Sequence, residues 1–196
     1  MTTSHCPDCG IASTWCCCSQ ITPIDSQIQV ILLLHENEPA RPTTTSRIIK
    51  KAIPNTKTFI WKRTEEPKAL IELLNKNDGN AWLLFPADRP SLVERKKTLR
   101  PSKQQKIIII VPDGTWKEVR KIVRKSPWLD RLPLLAFDPQ TPSRYDLRRN
   151  PDADHLCTAE TVIELFKLCN EKPAAKNLEH AFDHFLENYK RSKQNH

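Results

Sequence analysis

At 196 residues the chain is long enough for one domain with a substantial core, with room for a small appendage. A net charge of +8 and a pI near 9.2 point to a polyanionic partner. No run approaches the ~20 apolar residues of a membrane helix, and the first residues lack the basic-then-apolar order of a secretory signal, so no membrane association is expected. Three glycines, Gly10, Gly79 and Gly114, exclude a glycine-rich dinucleotide fingerprint or a P-loop. The seven cysteines are odd in number and mostly clustered. That suits a reducing, cytoplasmic setting and a metal site better than a disulfide scaffold.

Residues 6–18 read Cys-Pro-Asp-Cys-Gly-Ile-Ala-Ser-Thr-Trp-Cys-Cys-Cys. A Cys-x-x-Cys knuckle followed by further thiols suits Zn²⁺ held tetrahedrally by four thiolates. The natural set is Cys6, Cys9, Cys16 and Cys18 with Cys17 spare, although spacing alone leaves the register within the triplet open. Four thiolates leave no vacant coordination position, so the expected role is structural. A redox Cys-x-x-Cys normally follows a strand and opens a helix, whereas this one precedes any strand. Residues 1–22 are therefore set apart as a knuckle.

Ile28 to Leu34 reads as a strand rich in β-branched residues and ends at His35. A polar loop follows, and Thr44 or Thr45 is placed to cap a short helix through Ala52. Thr58 to Trp61 is a second short strand. Glu65, Glu66 and Pro67 open a helix with Leu70, Ile71, Leu73 and Leu74 inward, and Ala81 to Phe85 is a third strand. Residues 89–106 carry seven basic residues against one Glu. Such a run suits contact with phosphates regardless of sequence, and it lacks the aromatics of a base-stacking platform.

Ile107 to Val111, five β-branched residues in a row, predicts a central strand buried on both faces. Pro112 and Gly114 are expected to break it. An amphipathic helix then begins at Thr115, with Trp116, Val119, Ile122 and Val123 inward and Lys117, Arg120, Lys121, Arg124 and Lys125 outward. Asp113, Thr115 and Trp116 thus sit at the carboxyl end of a strand, where open α/β sheets bind ligands. The plain alternative is that Asp113 or Thr115 caps the helix. Leu132 to Phe137 supplies another strand. The polar stretch 138–155 offers Ser143, Arg144, Tyr145, Arg148 and Arg149 to a carboxylate or phosphate. Thr158 is a candidate cap for a helix burying Val162, Ile163, Leu165, Phe166 and Cys169, and a last helix spans about 176–190. The class expected is α/β.

In order along the chain, the motifs resemble the DTW-domain family, the tRNA-uridine aminocarboxypropyltransferases. The resemblance rests on Cys6-x-x-Cys9 with Cys16-x-Cys18, which selects the register in the triplet, and on His35-Glu-Asn-Glu38 with the helix start at Thr44-Thr45-Ser46-Arg47. It continues through Asp113-Gly-Thr115-Trp116 and Ser143-Arg-Tyr-Asp-Leu-Arg148-Arg149-x-Pro151, and on to Leu156-Cys157-Thr158-Ala159-Glu160. The family usually has Asn-Thr-Gly where this chain has Thr44, Thr45 and Ser46, and prolines where it has Ala12 and Glu36.

The resemblance implies that 23–196 is the DTW catalytic domain, SPOUT-like, with a mainly parallel sheet and a C-terminal trefoil knot that holds S-adenosylmethionine. It implies transfer of the 3-amino-3-carboxypropyl group to N3 of a tRNA uridine in the variable loop, releasing methylthioadenosine. Presenting the γ-carbon of the sulfonium, rather than its methyl, selects that product by positioning. Asp113 is the candidate base for the N3 proton, or else holds the cofactor, and Thr115 and Trp116 complete the catalytic set. Cofactor contacts are expected from Pro86, Asp113, Ser143, Arg144, Tyr145, Leu156 and Thr158. Among these an Arg and the amides at the Thr158 helix start would receive the methionine carboxylate. Contacts to tRNA are expected from His35, Arg47, Arg89, Lys96, Lys97, Arg148 and Arg149, with the enzyme acting as a cytoplasmic monomer. Two other readings stand beside this one. A SPOUT-type methyltransferase would release S-adenosylhomocysteine, and a non-catalytic zinc protein would only bind RNA.

Overall fold

In the computed structural model the described residues are 4–99, 106–136, 143–145 and 156–194. Arg148, Arg149 and Pro151 lie outside them. The chain divides into two units, one made of Gln27–Ala40 and Asn55–Asp138, the other of Met1–Ser26, Arg41–Pro54 and Pro139–His196.

The first unit is built on a five-stranded sheet, every strand pair parallel, in the order β2-β1-β4-β3-β5. The strands are β1 (Ile28–His35), β2 (Lys57–Trp61), β3 (Ala81–Leu84), β4 (Ile107–Asp113) and β5 (Leu134–Leu135). Burial explains the sequence of each. All of β4 and nearly all of β1 are buried and read as continuous apolar runs, while β2, at the edge, is half exposed. Ile31 and Leu33, Ile108 and Ile110, and Ala81 and Leu83 share one face. Leu70 and Leu74 of α2 (Lys68–Lys76) and Val119, Ile122 and Val123 of α4 (Trp116–Arg124) pack into the same cluster. A short α3 (Pro90–Val93) precedes β4.

One expectation is corrected here. Pro112 does not break the central strand, which runs on through Asp113 in register with β1, Leu33 opposite Pro112 and Leu34 opposite Asp113. Pairing with β3 reaches only Ile110. Beyond that residue β4 pairs, among the described residues, on one side only, and a proline without an N–H is tolerated on such an edge. The extension carries Asp113 to the very end of the strand.

The other unit comprises the cysteine knuckle, α1 (Ser46–Ala52), α5 (Thr158–Leu168) and α6 (Lys172–Gln194). The last helix exceeds the expected 176–190 at both ends. Asn170, at φ 61, makes the turn between α5 and α6, so the helix starts as soon as the turn is complete. Ala175, Leu178, Phe182, Phe185 and Tyr189 form its buried stripe. The knuckle does not stand apart from these helices. Asp8 pairs with Lys51 at 2.9 Å, the Ile24 amide donates to the Ala52 carbonyl, and the Arg47 guanidinium lies so close to Gly10 that a Cβ there would meet it at 2.3 Å. Gly10 is required there on a second count, since its φ is +77. Among the described residues, no helix is long and apolar enough to cross a membrane.

Candidate active site

The strand-to-helix joint after β4 is locked by its own sequence. Thr115 is the N-cap of α4. Its hydroxyl accepts the Glu118 amide at 3.4 Å and donates to Glu118 Oε2 at 2.8 Å, and its backbone N–H donates to the same oxygen at 2.8 Å. The capping alternative therefore holds for Thr115, which is exposed and engaged with Glu118. Asp113, by contrast, is 3% exposed at the strand end and is not the cap. Gly114 is needed for close approach. A Cβ there would sit 3.1 Å from Glu118 and 3.3 Å from the Cβ of His35, at a φ of +156. Trp116 is half-buried, 6.1 Å from the Phe85 ring, with the Arg120 guanidinium over its ring at 5.8 Å.

His35 ends β1, one residue beyond the Leu34–Asp113 pair, so the two polar side chains come from adjacent strand ends. It is 3% exposed. Its Nδ1 lies 3.5 Å from Glu118 Oε1 and its ring 5.4 Å from that of Trp61. Asn37 Nδ2 donates to Glu118 Oε1 at 3.3 Å. Glu118 was absent from the sequence-derived set, yet the Thr115-x-x-Glu118 spacing of a capping box marks it.

At the knuckle, the sulfurs of Cys6, Cys9, Cys16 and Cys18 all lie within 4.8 Å of one another. Cys6 to Cys18 is 3.7 Å and Cys9 to Cys16 is 3.9 Å. Four sulfurs at ~2.3 Å from a tetrahedral zinc stand about 3.8 Å apart, so the donor set fits that ion in number, type and size. Cys17 is fully buried outside the group. The Cys6 thiol is brought down to about 7: burial opposes this, but hydrogen bonds from the backbone of Cys9 and Asp8 outweigh it.

The segment 143–145 is tied to α5. Glu160 accepts from the Ser143 hydroxyl at 2.7 Å, the Arg144 amide at 2.6 Å and the Cys157 amide at 2.8 Å. Tyr145 is buried against Phe182, and its hydroxyl donates to the Thr43 carbonyl; it braces this unit rather than presenting its phenol to a ligand. One correction follows. Cys157, not Thr158, is the N-cap of α5, because its backbone is extended and Glu160 reaches back to it. Near that helix start the Cys157 N–H serves Glu160 and the Ala159 N–H serves Thr45 Oγ1 at 3.1 Å. Thr44 is buried and exchanges a hydrogen bond with Ser46. The Arg144 guanidinium pairs with Asp183 at 3.1 Å and Glu179 at 3.3 Å. Leu156 borders a cavity of about 40 Å³ beside Arg144 and Glu160, room for a few waters and far short of a nucleoside.

The basic residues separate by environment. Arg47 lies against the knuckle, while Lys96 and Lys97 are exposed next to β5. Arg89, just beyond the half-buried Pro86, joins Arg120 and Arg124 around Asp88 in an open cleft of about 330 Å³. Asp88 lies 3.8 Å from Arg89 Nε and 3.3 Å from Arg120, so one carboxylate faces three guanidinium groups and the cleft stays positive.

The DTW domain model matches residues 3–190. The chain belongs to the DTW-domain family. A curated relative from Drosophila melanogaster, named tRNA-uridine aminocarboxypropyltransferase 2, is 24% identical over 163 residues, 81% of this chain and 63% of the relative. This DTW protein thus spans less than two thirds of that relative's length. No solved structure matches it.

Proposed function

We propose that this DTW protein transfers the 3-amino-3-carboxypropyl group of S-adenosylmethionine to N3 of a uridine in tRNA. The observation that carries the reading is the family match across residues 3–190, strengthened by the name of the fly relative. The fully parallel sheet is what a SPOUT-like fold needs, and the C-terminal knot and the cytoplasmic, monomeric state belong to the same proposal.

When bound, S-adenosylmethionine supplies a sulfonium whose γ-carbon is open to attack by a nitrogen. On this reading Asp113, buried at the carboxyl end of β4, contacts the reacting groups, and Gly114 lets the backbone come close. Arg144 already binds carboxylates in the shape of Glu179 and Asp183. Half-exposed pairs of this kind are worth about 0–1 kcal/mol, so a methionine carboxylate can displace one of them. The knuckle sulfurs hold Zn²⁺ in a structural role. The Asp88 cleft, with Lys96 and Lys97, positions tRNA phosphates, a role that reads no sequence.

The experiment is incubation with S-adenosylmethionine and unmodified tRNA, with the small-molecule product identified by mass. Methylthioadenosine is the expected product. S-adenosylhomocysteine would make the protein a methyltransferase, and no product with retained tRNA binding would make it a non-catalytic RNA-binding protein. Asp113→Asn is expected to abolish transfer; near-full activity would remove Asp113 from the reacting groups.

A further inference from the structure

His35 is a buried imidazole with one nitrogen engaged and the other not. Nε2 is shielded from solvent and makes no hydrogen bond among the described residues. Leaving such an atom unpaired costs about 1–3 kcal/mol, a cost the fold accepts where the atom is kept for a ligand. The other nitrogen, Nδ1, has two neighbours, the Glu118 carboxylate at 3.5 Å and the Asn37 amide at 3.4 Å. The two ask for opposite tautomers. A carboxylate can only accept, so it calls for a proton on Nδ1, whereas the amide calls for a lone pair. The Glu118 contact acts through charge at 3.5 Å, and the full charge of the carboxylate outweighs the neutral amide, so Glu118 prevails. Nδ1 then carries the proton and Nε2 the lone pair.

We propose that His35 takes, on Nε2, the proton that the attacking base nitrogen must lose, with Glu118 as the positioning residue that holds the imidazole in this tautomer. The proposal rests on the aminocarboxypropyl-transfer reading above. The N3–H proton passes to Nε2. The freed electron pair on N3 forms the bond to the γ-carbon, and the carbon–sulfur bond breaks with its pair going to sulfur, leaving a neutral thioether. The proton on Nε2 then returns to water. Imidazole is the side chain that exchanges protons near neutrality, whereas an ordinary carboxyl does so near ~4, and a general base works best close to the operating pH. Charged groups stand around His35. Glu118 faces it from α4 and Asp113 ends the neighbouring strand. Glu36 follows in the chain and is exposed, and the Lys121 ammonium is held over the Trp61 ring, which packs beside His35.

The test follows methylthioadenosine release from S-adenosylmethionine and unmodified tRNA, from about pH 5.5 to 9, in wild type, His35→Gln and Glu118→Gln. The imidazole ¹⁵N shifts of the protein alone are recorded alongside. His35→Gln is expected to lower kcat by about 10²–10⁴ with little change in KM for tRNA, and to erase the acid limb of the profile. Glu118→Gln keeps an acceptor for the Thr115 amide but removes the charge beside the imidazolium, so its acid limb moves to lower pH. The spectrum should show His35 as the Nδ1–H tautomer. A His35→Gln enzyme with kcat within about threefold of wild type and its acid limb intact overturns the proposal, as does a change in KM alone, which would make His35 a tRNA contact. Should His35→Gln fail to fold, an unmoved acid limb in Glu118→Gln, or an Nε2–H spectrum, overturns it equally. Wild type without methylthioadenosine refutes the transfer reading itself and the proposal with it.

Discussion

Replacing Glu160 by Gln should destabilise the protein far more than its nearly isosteric shape suggests. The carboxylate is 6% exposed. Its Oε1 accepts from the Arg144 amide, and its Oε2 from the Cys157 amide and the Ser143 hydroxyl. A glutamine offers one oxygen and one NH₂. If the NH₂ takes the first position it faces the Arg144 N–H; in the second it faces the Cys157 N–H. Ser143 can turn its hydroxyl to accept, but a backbone amide cannot, so either orientation strands one buried donor. That costs about 1–3 kcal/mol, and weakening the remaining charge-assisted bonds adds about 1, for a total near 3 kcal/mol. In a chain of this size about 2–4 °C of Tm follows each kcal/mol, so the melt followed by circular dichroism should drop by about 6–12 °C. Glu164→Gln on the same helix is the control. Among the described residues that side chain holds an i,i+3 pair with the exposed Lys167, worth a few tenths of a kcal/mol, and the variant's Tm should move by about 1 °C. A Glu160→Gln melt within about 2 °C of wild type would refute this account of the clamp.

Two further predictions concern the metal and the RNA. The purified protein should carry one zinc per chain, and a chelator should lower its thermal stability, because the knuckle shares a unit with α1 and α6. Alkylation at about pH 8 followed by mass measurement should then label Cys6, whose thiol is brought down to about 7, well ahead of Cys169, which burial and the Glu171 carboxylate push up to about 11, leaving roughly one thiolate in a thousand; labelling of Cys169 at the same rate would contradict the assignment. Arg120→Ala with Arg124→Ala should lower the slope of log affinity against log salt for tRNA by about 1.4–1.8, and an unchanged slope would remove the Asp88 cleft from the RNA contact.

The sheet was legible because long β-branched runs have few alternatives. Ile107 to Val111 and Ile28 to Leu34 had to be interior parallel strands, and they are. The extension through Pro112 was not legible, since it depends on β3 ending its pairing at Ile110, a tertiary fact with no local signal. The knuckle could be read from thiol spacing, but its anchorage through Arg47 and Lys51 could not, because both come from α1. At the carboxyl end of the sheet, Asp113 and His35 could be singled out as polar residues after apolar strands. Their juxtaposition came only with the parallel register of β1 and β4. Glu118 and Glu160 were absent from the expected site residues, although both stand three residues after a cap and reach back to it.

The joint Asp113-Gly114-Thr115-Trp116 owes its compactness to a separate physical demand at each position. The strand must run to its last residue to bring a buried carboxyl beside the end of β1, and that requires a residue tolerated next to Pro112. The next residue must lack a side chain, or Glu118 and His35 would be pushed apart. The third must cap the helix, and in capping it fixes Glu118, whose other oxygen faces His35 Nδ1. The indole then packs on Phe85 and fixes the first turn against the core. An acid alone at a strand end would be unremarkable. With the cap holding Glu118 and Glu118 facing the imidazole, a local helix start is coupled to the protonation state of a residue 80 positions earlier in the chain (115 against 35). Thr115→Ala should therefore act through His35 as well as through the helix, displacing the acid limb of the pH profile in the direction expected for Glu118→Gln.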